Sequence, residues 1–539
     1  MADNYDDYDR EELIQLLRER DRRPRFGLVW ERKEIEHERA INNDFVALDL
    51  DKSLSCGDAP YQNLIIEGDN FDVLRYLRIT YSGKVKCIYI DPPYNTGNRD
   101  FIYNDRFVDK DDVYKHSKWL EFMYQRLLLA RDLLSEDGVI FVSIDDNEVF
   151  NLGLLMNGIF GEANRIGLFV WKSRQNKDNR TKTGASLDHE YVLCFGKKIR
   201  GDERDREQFK NPDNDIRGSW TSGNMAGLAD ENARPNLHYD LINPKTGINY
   251  GKPKQGWRFD KKRMAQLIDE KKIIWPDKSS GRPRLKVFLA EMQSDFTGYS
   301  SLIGQDIYTY HGTREIDDIF DYRAFDFPKS SQFIKELIEQ GAADKDSIVL
   351  DFFAGSGTTA HAVLKLNAED GGNRRFILVS NTEATESDPG KNLCRDVCAE
   401  RVRRVMLGYK NKKGEDVPGL GGSFAYFKTR RIASEVILHE IRHEQIWTAL
   451  QMIHGTSVAV FNPDSTVQQL QTENEAVLYL CELKKREVSA VLKSLQSMKK
   501  ITVYSWQPAL LSQYAEEKRL VCLPIPQFLT ERFSKGGRS

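Results

Sequence analysis

No stretch of apolar residues in this 539-residue chain approaches the roughly 20 that a membrane-spanning helix requires. The opening "MADNYDDYDREEL" is acidic, unlike a secretory or transit peptide, and the two absences together lead to the expectation of a cytoplasmic protein with no membrane contact. Seven cysteines, an odd number without a C-x-x-C pair, exclude a disulfide framework and a zinc ribbon as organising devices. Cys394 and Cys398, four apart in a helical pattern, read as buried thiols rather than metal ligands, and no metal is expected. No G-x-x-x-x-G-K-[ST] occurs, so a phosphate-cradling P-loop is excluded. Positive charge is not in excess either. With a net charge of −3, binding to a polyanion would have to rely on local basic surface.

What is present is the composition of a folded protein, 40% hydrophobic and 30% charged, with only 17 prolines and no low-complexity tract. At about 150 residues per domain the length suggests three or four units. A charged helix is expected over Glu11 to Arg22, within an N-terminal segment reaching to residue 60. From residue 61 to about 165 the pattern is strand, turn, helix, strand: "NLIIEGDN", "FDVLRYLRITY", "KCIYI", the helix "SKWLEFMYQRLLLARDLL", then "GVIFVSID" ending in Asp145 and Asp146. Between about 166 and 324 that rhythm fails in a segment rich in Asn, Gly, Pro, Trp and basic residues, which reads as a separate insert with Trp220, Trp257 and Trp275 in its core. The βα pattern returns over 325–410, with the strand "DSIVLDFF", the turn "AGSGTTA", a helix, and the strand "RRFILVSNTE" closing on Glu383. The two halves should complete one doubly wound sheet, since neither carries enough strands alone. Residues 411–539 read as an α/β appendage.

Two turns in this frame carry chemistry. In "LDFFAGSGTT" Asp351 ends a strand, and Gly355 and Gly357 lead into a helix whose N-terminus favours the negative end of a ligand. A lone G-x-G turn is equally a tight structural turn; the acids strengthen the ligand reading, Glu383 standing where a carboxylate can hold ribose hydroxyls. In "KCIYIDPPYNTG" an apolar strand stops at Asp91, Pro92, Pro93 and Tyr94. The prolines remove two N–H donors, leaving carbonyl oxygens and the Asp91 carboxylate as acceptors. Such a cluster suits an amino group, and the Tyr94 ring offers a stacking face worth about 1–3 kcal/mol per base. The competing reading is a proline-stiffened turn whose acid caps a neighbouring N–H. The glycine turn tips the balance toward chemistry.

"DPPYNTG" with "DFFAGSGTT", in that order, resembles the β class of S-adenosylmethionine-dependent DNA amino-methyltransferases. The resemblance is closer still to the modification (Mod) subunits of type III restriction-modification systems. It is carried by "FGLVWE", "LIIEGDNFDVLRYL", "KCIYIDPPYNTGN", "GVIFVSIDDNEV", "DHEYVLCF", "ARPNLHYDLINPKTG", "GTREIDDIFD" and "FDFPKS", over roughly Phe26 to Met406. It implies a Rossmann-like sheet in circularly permuted motif order with an inserted target-recognition domain. It makes Asp91, Pro92, Pro93 and Tyr94 the amino-group site. The turn from Asp351 and Phe353 through Ala354, Gly355, Ser356, Gly357 and Thr358 becomes the cofactor turn, with Glu383 at the ribose, Asp69 near the adenine and Lys329 at the methionine carboxylate.

Aspartate at the first position of the motif favours adenine N6 over cytosine N4, by resemblance. A stacked duplex hides that nitrogen, so the base must be flipped at a cost of a few kcal/mol. Phe101 and Tyr103 in "NRDFIYNDRF" either close over the flipped base or pack their own loop. "WKSRQNKDNRTKTG", with five Lys/Arg against one Asp, suits phosphate contacts or is a solvated loop. The implied partners are double-stranded DNA, a second copy of the chain through the segment after Lys410, and a separate helicase-nuclease subunit, since no nuclease motif is evident here. The readings held beside this one are a DNA-recognising scaffold with methylation secondary, a cytosine-N4 enzyme, and a methylase of RNA or protein glutamine.

Overall fold

The computed structural model describes residues 44–97, 102–103, 106–107, 114–178, 184–385, 388–433, 436–455, 457–471, 474–507 and 520–525. The helix expected over Glu11 to Arg22 lies outside them, as does Phe101; of Tyr103 only the backbone is described, in a two-residue strand pairing Ile102–Tyr103 with Arg106–Phe107. These residues fall into two compact units, one drawn from the chain up to Arg200 and again from Ser300, the other Gly201–Tyr299.

The first unit is built on ten strands: β1 (Phe45–Leu50), β2 (Asn63–Glu67), β3 (Val85–Ile90), β4 (Leu134–Ile144), β5 (Arg165–Trp171), β6 (Glu190–Gly196), β7 (Leu302–Ile303), β8 (Ile348–Asp351), β9 (Arg375–Ser380) and β10 (Phe424–Ile432). Their order is β1-β10-β2-β9-β8-β3-β4-β6-β5-β7. From β10 to β4 neighbouring strands run parallel, whereas β6 pairs antiparallel with both β4 and β5. The central strands are continuous apolar runs because both faces are covered, as parallel sheets require. Helices α1 (Asn70–Tyr81), α2 (Lys115–Leu133) and α3 (Val149–Phe160) contribute Leu74, Leu77, Trp119, Met123, Leu127, Leu152 and Met156 to the main core. Further helices follow: α4 (Thr309–Phe320), α5 (Ser331–Gly341), α6 (Thr358–Asp370), α7 (Glu400–Leu407) and α8 (His443–Ile453).

α8 is apolar on two sides. Ala449 and Met452 join the main core, while Ile446, Trp447 and Leu450 cover one face of a four-stranded sheet made by Val467–Gln471, Glu475–Leu480, Lys500–Ser505 and Leu520–Pro524. That sheet alternates as a strand must: Val477 and Tyr479 face α8, while Ala476, Leu478 and Leu480 face the cluster that includes Val488 of the helix Lys485–Ser494.

The second unit has the three-stranded antiparallel sheet Trp220–Gly223, Arg284–Phe288 and Ile273–Ile274, with the helix Lys261–Asp269 capped by Asp260. Met225, Leu241, Trp257, Met264, Leu267 and Ile273 form its core, and Trp275 packs against it. Trp220 does not join that core. It is half-buried, its ring under the Lys286 ammonium and its indole N–H on Asp213.

Three expected boundaries move. The insert is Gly201–Tyr299 rather than 166–324, because β5, β6 and β7 extend the main sheet at one edge. At the other edge β10 lies beyond residue 410 yet sits between β1 and β2, so neither the N-terminal segment nor the appendage is separate from the sheet. The strand through Phe376 stops at Ser380, which leaves Glu383 outside it. Among the described residues no helix is long and apolar enough to cross a membrane.

Candidate active site

β8 lies directly beside β3, with Val349 opposite Cys87 and Leu350 opposite Ile88. Parallel pairing therefore delivers the two motifs, far apart in the chain, to the same edge of the sheet: Asp351 closes β8 and Asp91 follows β3. Carboxyl ends of strands are where open α/β sheets form their crevices.

Three elements hold the turn after β3. The Trp119 indole on α2 donates to the Pro93 carbonyl at 2.7 Å. Asn95, fully buried with φ of 57°, donates from its side chain to Glu148 at 2.6 Å, and Glu148 also accepts from Asn151. The Tyr94 hydroxyl donates to Glu190 at the start of β6, 2.9 Å away. Among the described residues none donates to the Pro92 carbonyl, which leaves it and Asp91 as the acceptors of the motif.

Lys329 meets that motif. Its ammonium lies 2.9 and 2.8 Å from the two Asp91 oxygens, 2.9 Å from the Tyr94 hydroxyl and 3.4 Å from Glu190. Burial works against the ammonium, but the Asp91 and Glu190 carboxylates outweigh it and raise its pKa. Burial, reinforced by the same two acids, pushes the Tyr94 phenol well above its ordinary value, so the hydroxyl stays neutral. Two acids thus share one cation, and the cluster suits a ligand that brings N–H donors.

In the second turn the Asp351 carboxylate accepts the Phe353 N–H at 2.9 Å and the Thr359 hydroxyl. Burial pushes this carboxyl up to about 7, with the hydrogen bonds opposing and the Asp91 charge adding to the rise. Gly355 and Gly357 have φ of 49° and 77°, a region that side chains other than glycine's rarely tolerate. Gly357 is the N-cap of α6 and provides no side-chain cap, so the first N–H groups of the helix have no such partner. The Ala354 N–H is bonded to the Val379 carbonyl of β9. Beside the turn, the Phe353 ring lies 5.9 Å from that of Phe122, over which Arg126 is stacked at 3.6 Å.

The other expected residues stand as follows. Asp69 caps α1, accepting from the Phe71 and Asp72 N–H groups, with its second oxygen 3.4 Å from Arg126; next to it Asn70 donates to the Phe352 carbonyl at 2.9 Å. Glu383 is on an exposed loop, φ 50°, paired with Lys391 at 2.8 Å. The acid at a neighbouring strand tip is Glu67 on β2, opposite Ser380, which accepts from Asn392 at 2.9 Å and from the Tyr426 hydroxyl. Lys329 stands at the amino-group motif, with Asp91.

Sequence reasoning passed over Glu190 and a second buried cluster. Arg401, with no exposed side-chain surface, donates to Ser356 at 3.1 Å, to Thr358 at 2.7 Å and to Glu315 of α4 at 2.8 Å. Glu315 also accepts from Lys365 at 2.8 Å and from the Ser331 N–H at 3.1 Å, two residues beyond Lys329. A signal was there: Cys394, Cys398, Arg401 and Val405 recur at buried helical positions, setting an arginine on an apolar face.

The sequence model described as DNA methylase matches residues 85–386. The type III restriction-modification enzyme StyLTI Mod subunit of Salmonella typhimurium is 34% identical over 379 residues, 64% of this chain and 57% of that one. The EcoP15I Mod subunit of Escherichia coli is 32% identical over 66% of this chain and 64% of its own length. The chain thus spans less than two thirds of these Mod relatives. The type II methyltransferase M.KpnI of Klebsiella pneumoniae is 33% identical over 69% of this chain and 94% of its own length. With more than half of its residues matched by the family's sequence model and nearly the whole of M.KpnI covered, this chain belongs to the DNA methylase family.

Proposed function

We propose that the chain transfers a methyl group from S-adenosylmethionine to the exocyclic amino group of a flipped base in duplex DNA, adenine N6 in the first place. The observation that carries this reading is the adjacency of β3 and β8, which sets an amine-accepting motif beside a glycine turn. The residues present fit the cofactor. Gly355 and Gly357 supply the positive φ that the turn requires, the uncapped start of α6 offers N–H groups to an anionic end, and carboxylates at the strand tips suit a cationic sulfur. The residues that would hold it are Asp351, Phe353, Ala354, Gly355, Ser356, Gly357 and Thr358, with Asp69, Glu67 and Glu383 as candidates for its ribose and adenine. When bound, it supplies an electrophilic methyl.

The chain's own groups do the rest. Asp91 and the Pro92 carbonyl accept the two amino protons, which draws the nitrogen lone pair out of conjugation with the ring and aims it. Tyr94, its hydroxyl tied to Glu190, gives a ring fixed in orientation for the base to stack on. Asp91 is also the acceptor to which the amine can release a proton. Base reading falls to Gly201–Tyr299, phosphate contact to the basic stretch that follows β5. By analogy with the type III Mod subunits, we propose further that the chain works in the bacterial cytoplasm as a dimer and that a separate subunit cuts DNA.

Asp91→Ala is expected to abolish incorporation of labelled methyl into DNA while leaving gel-shift affinity for DNA largely intact. Retained turnover would remove the proposed role of Asp91. Sequencing methylated DNA from a host that expresses the chain gives the target base: N4-methylcytosine in place of N6-methyladenine would reassign it.

A further inference from the structure

We infer that Lys329 is a removable plug: its ammonium holds the amino-group site until a base arrives, and then passes from Asp91 to Glu190. This rests on the methyltransferase reading and goes beyond it, since it assigns Lys329 to the base rather than to the cofactor.

The position of the ammonium is that of an incoming amine. All three of its N–H donors are committed within the motif, two to the Asp91 oxygens and one to the Tyr94 hydroxyl, at 2.8 to 2.9 Å. It lies 5.0 Å from the centre of the Tyr94 ring, the surface on which a flipped base would stack. An amino group seeking Asp91 therefore meets an occupied site.

The backbone that carries Lys329 is fixed. The Ser331 N–H, two residues on, is bonded to buried Glu315. Gly312 of α4 lies so close that a Cβ there would come within 2.1 Å of the Pro328 carbonyl and 2.8 Å of the Lys329 carbonyl carbon. The mobile part is the four-carbon side chain, which lets the charged head shift while its root stays in place.

Glu190 makes the shift feasible. A buried ammonium stripped of its carboxylate is strongly disfavoured, but Glu190 already lies 3.4 Å from the same nitrogen, both groups bonded to the Tyr94 hydroxyl. The exchange keeps the ion count constant: before base arrival Asp91 holds Lys329, afterwards Asp91 holds the amine and Glu190 holds Lys329. A base without an exocyclic amine gives Asp91 no donor in return, so the plug also disfavours such bases.

Calorimetric titration of the cofactor-free full chain with 9-methyladenine, and with 9-methylpurine as the amine-free control, tests this without knowledge of the DNA target. Lys329→Met is expected to bind 9-methyladenine about tenfold more tightly than the wild type, the gain being absent with 9-methylpurine. Glu190→Gln, which keeps the shape but removes the second counter-ion, is expected to bind 9-methyladenine several-fold more weakly. Should Lys329→Met melt far below the wild type, the Glu190→Gln result decides alone. Weaker or unchanged binding by a folded Lys329→Met would show that the ammonium stays and supports the base, and would overturn the plug. Unchanged binding by Glu190→Gln would overturn the second position, and no binding by any variant would reject the site. Methyl transfer to DNA by the wild type, assayed in parallel, separates the two levels: transfer with unshifted variants rejects the plug alone, whereas its absence rejects the reading beneath it.

Discussion

Two buried ion clusters in the first unit are built from similar parts and behave as opposites. Around Lys329, two carboxylates share one ammonium, and the Pro92 carbonyl stands without a donor among the described residues. Around Glu315, one carboxylate takes Arg401, Lys365 and both donors of Ser331, so every lone pair is engaged. The first cluster has capacity left for a ligand. The second has its carboxylate fully engaged, with the buried Arg401 Nε alone lacking a partner among its described neighbours, and it ties the Ser356 and Thr358 hydroxyls of the glycine turn to the segment that follows Lys329. A carboxylate with every lone pair engaged fixes a structure, while acceptors with capacity to spare mark where a substrate is expected.

The largest test of this contrast removes Glu315. Glu315→Leu strands Arg401 in the interior, and the first unit should lose about 3–5 kcal/mol of stability, read as a lowered thermal midpoint by calorimetry. Asp91→Asn should do the reverse: because Lys329 keeps Glu190, the midpoint should hardly move, while the rate of methyl transfer under saturating cofactor falls about 10²-fold or more. Equal stability losses in the two variants would erase the distinction. A smaller effect is expected from Gly312→Ala, whose methyl group collides with the Pro328 carbonyl; overpacking of this kind costs about 1–3 kcal/mol and displaces the root of Lys329, so binding of 9-methyladenine should change with the midpoint.

The smallest effect in the wild type is one of pH, because two opposed contributions nearly cancel. Burial, aided by Arg401 and Lys365 against the pull of Glu315, pushes the His361 imidazole down from 6.5 to about 3. The unfolded chain then takes up a proton that the folded one refuses, so this contribution is present above pH 6.5 and is lost as pH falls toward 3. Asp351 has the opposite sign. Its carboxyl is raised from 3.8 to about 7, so the folded chain keeps a proton that the unfolded one has released, and this contribution is lost as pH rises through that window. Between 3.8 and 6.5 the two slopes, each at most about 1.4 kcal/mol per pH unit, offset one another. Relative to the wild type, the midpoint of Asp351→Asn should therefore rise with pH across that range and that of His361→Gln should fall. Parallel curves for both variants would contradict these shifts.

Much of the fold was legible where the signal is local. The strand, turn and helix from Asn63 to Tyr81, the proline motif after Ile90 and the glycine turn after Asp351 each declare themselves within a dozen residues, through periodicity and backbone chemistry. What stayed hidden depends on distant pairing. β5 and β6 are short strands separated by a polar, basic stretch, and the antiparallel attachment of β6 to β4, with β5 outside it, is invisible until the sheet is assembled. Glu190 looks like any acid before a strand, and only the fold brings it to Tyr94. The strand expected to close on Glu383 ends three residues earlier, at Ser380, because the polar residues after it turn into a loop. Lys329 stands out within "FDFPKS", but which end of the reaction it serves is a matter of geometry alone.

β10 carries one more implication, for the order in which the chain can fold. Among the described residues β1 pairs only with β10, and the outer edge of β2 is covered by the same strand, from residues roughly 360 positions later in translation. A nascent polypeptide thus exposes an unpaired parallel edge throughout the synthesis of both α/β halves and the insert, the kind of surface that recruits chaperones or a second unfinished copy. Chains interrupted between residues 410 and 424 carry every motif of the candidate active site and still leave the sheet open, so they should aggregate rather than catalyse.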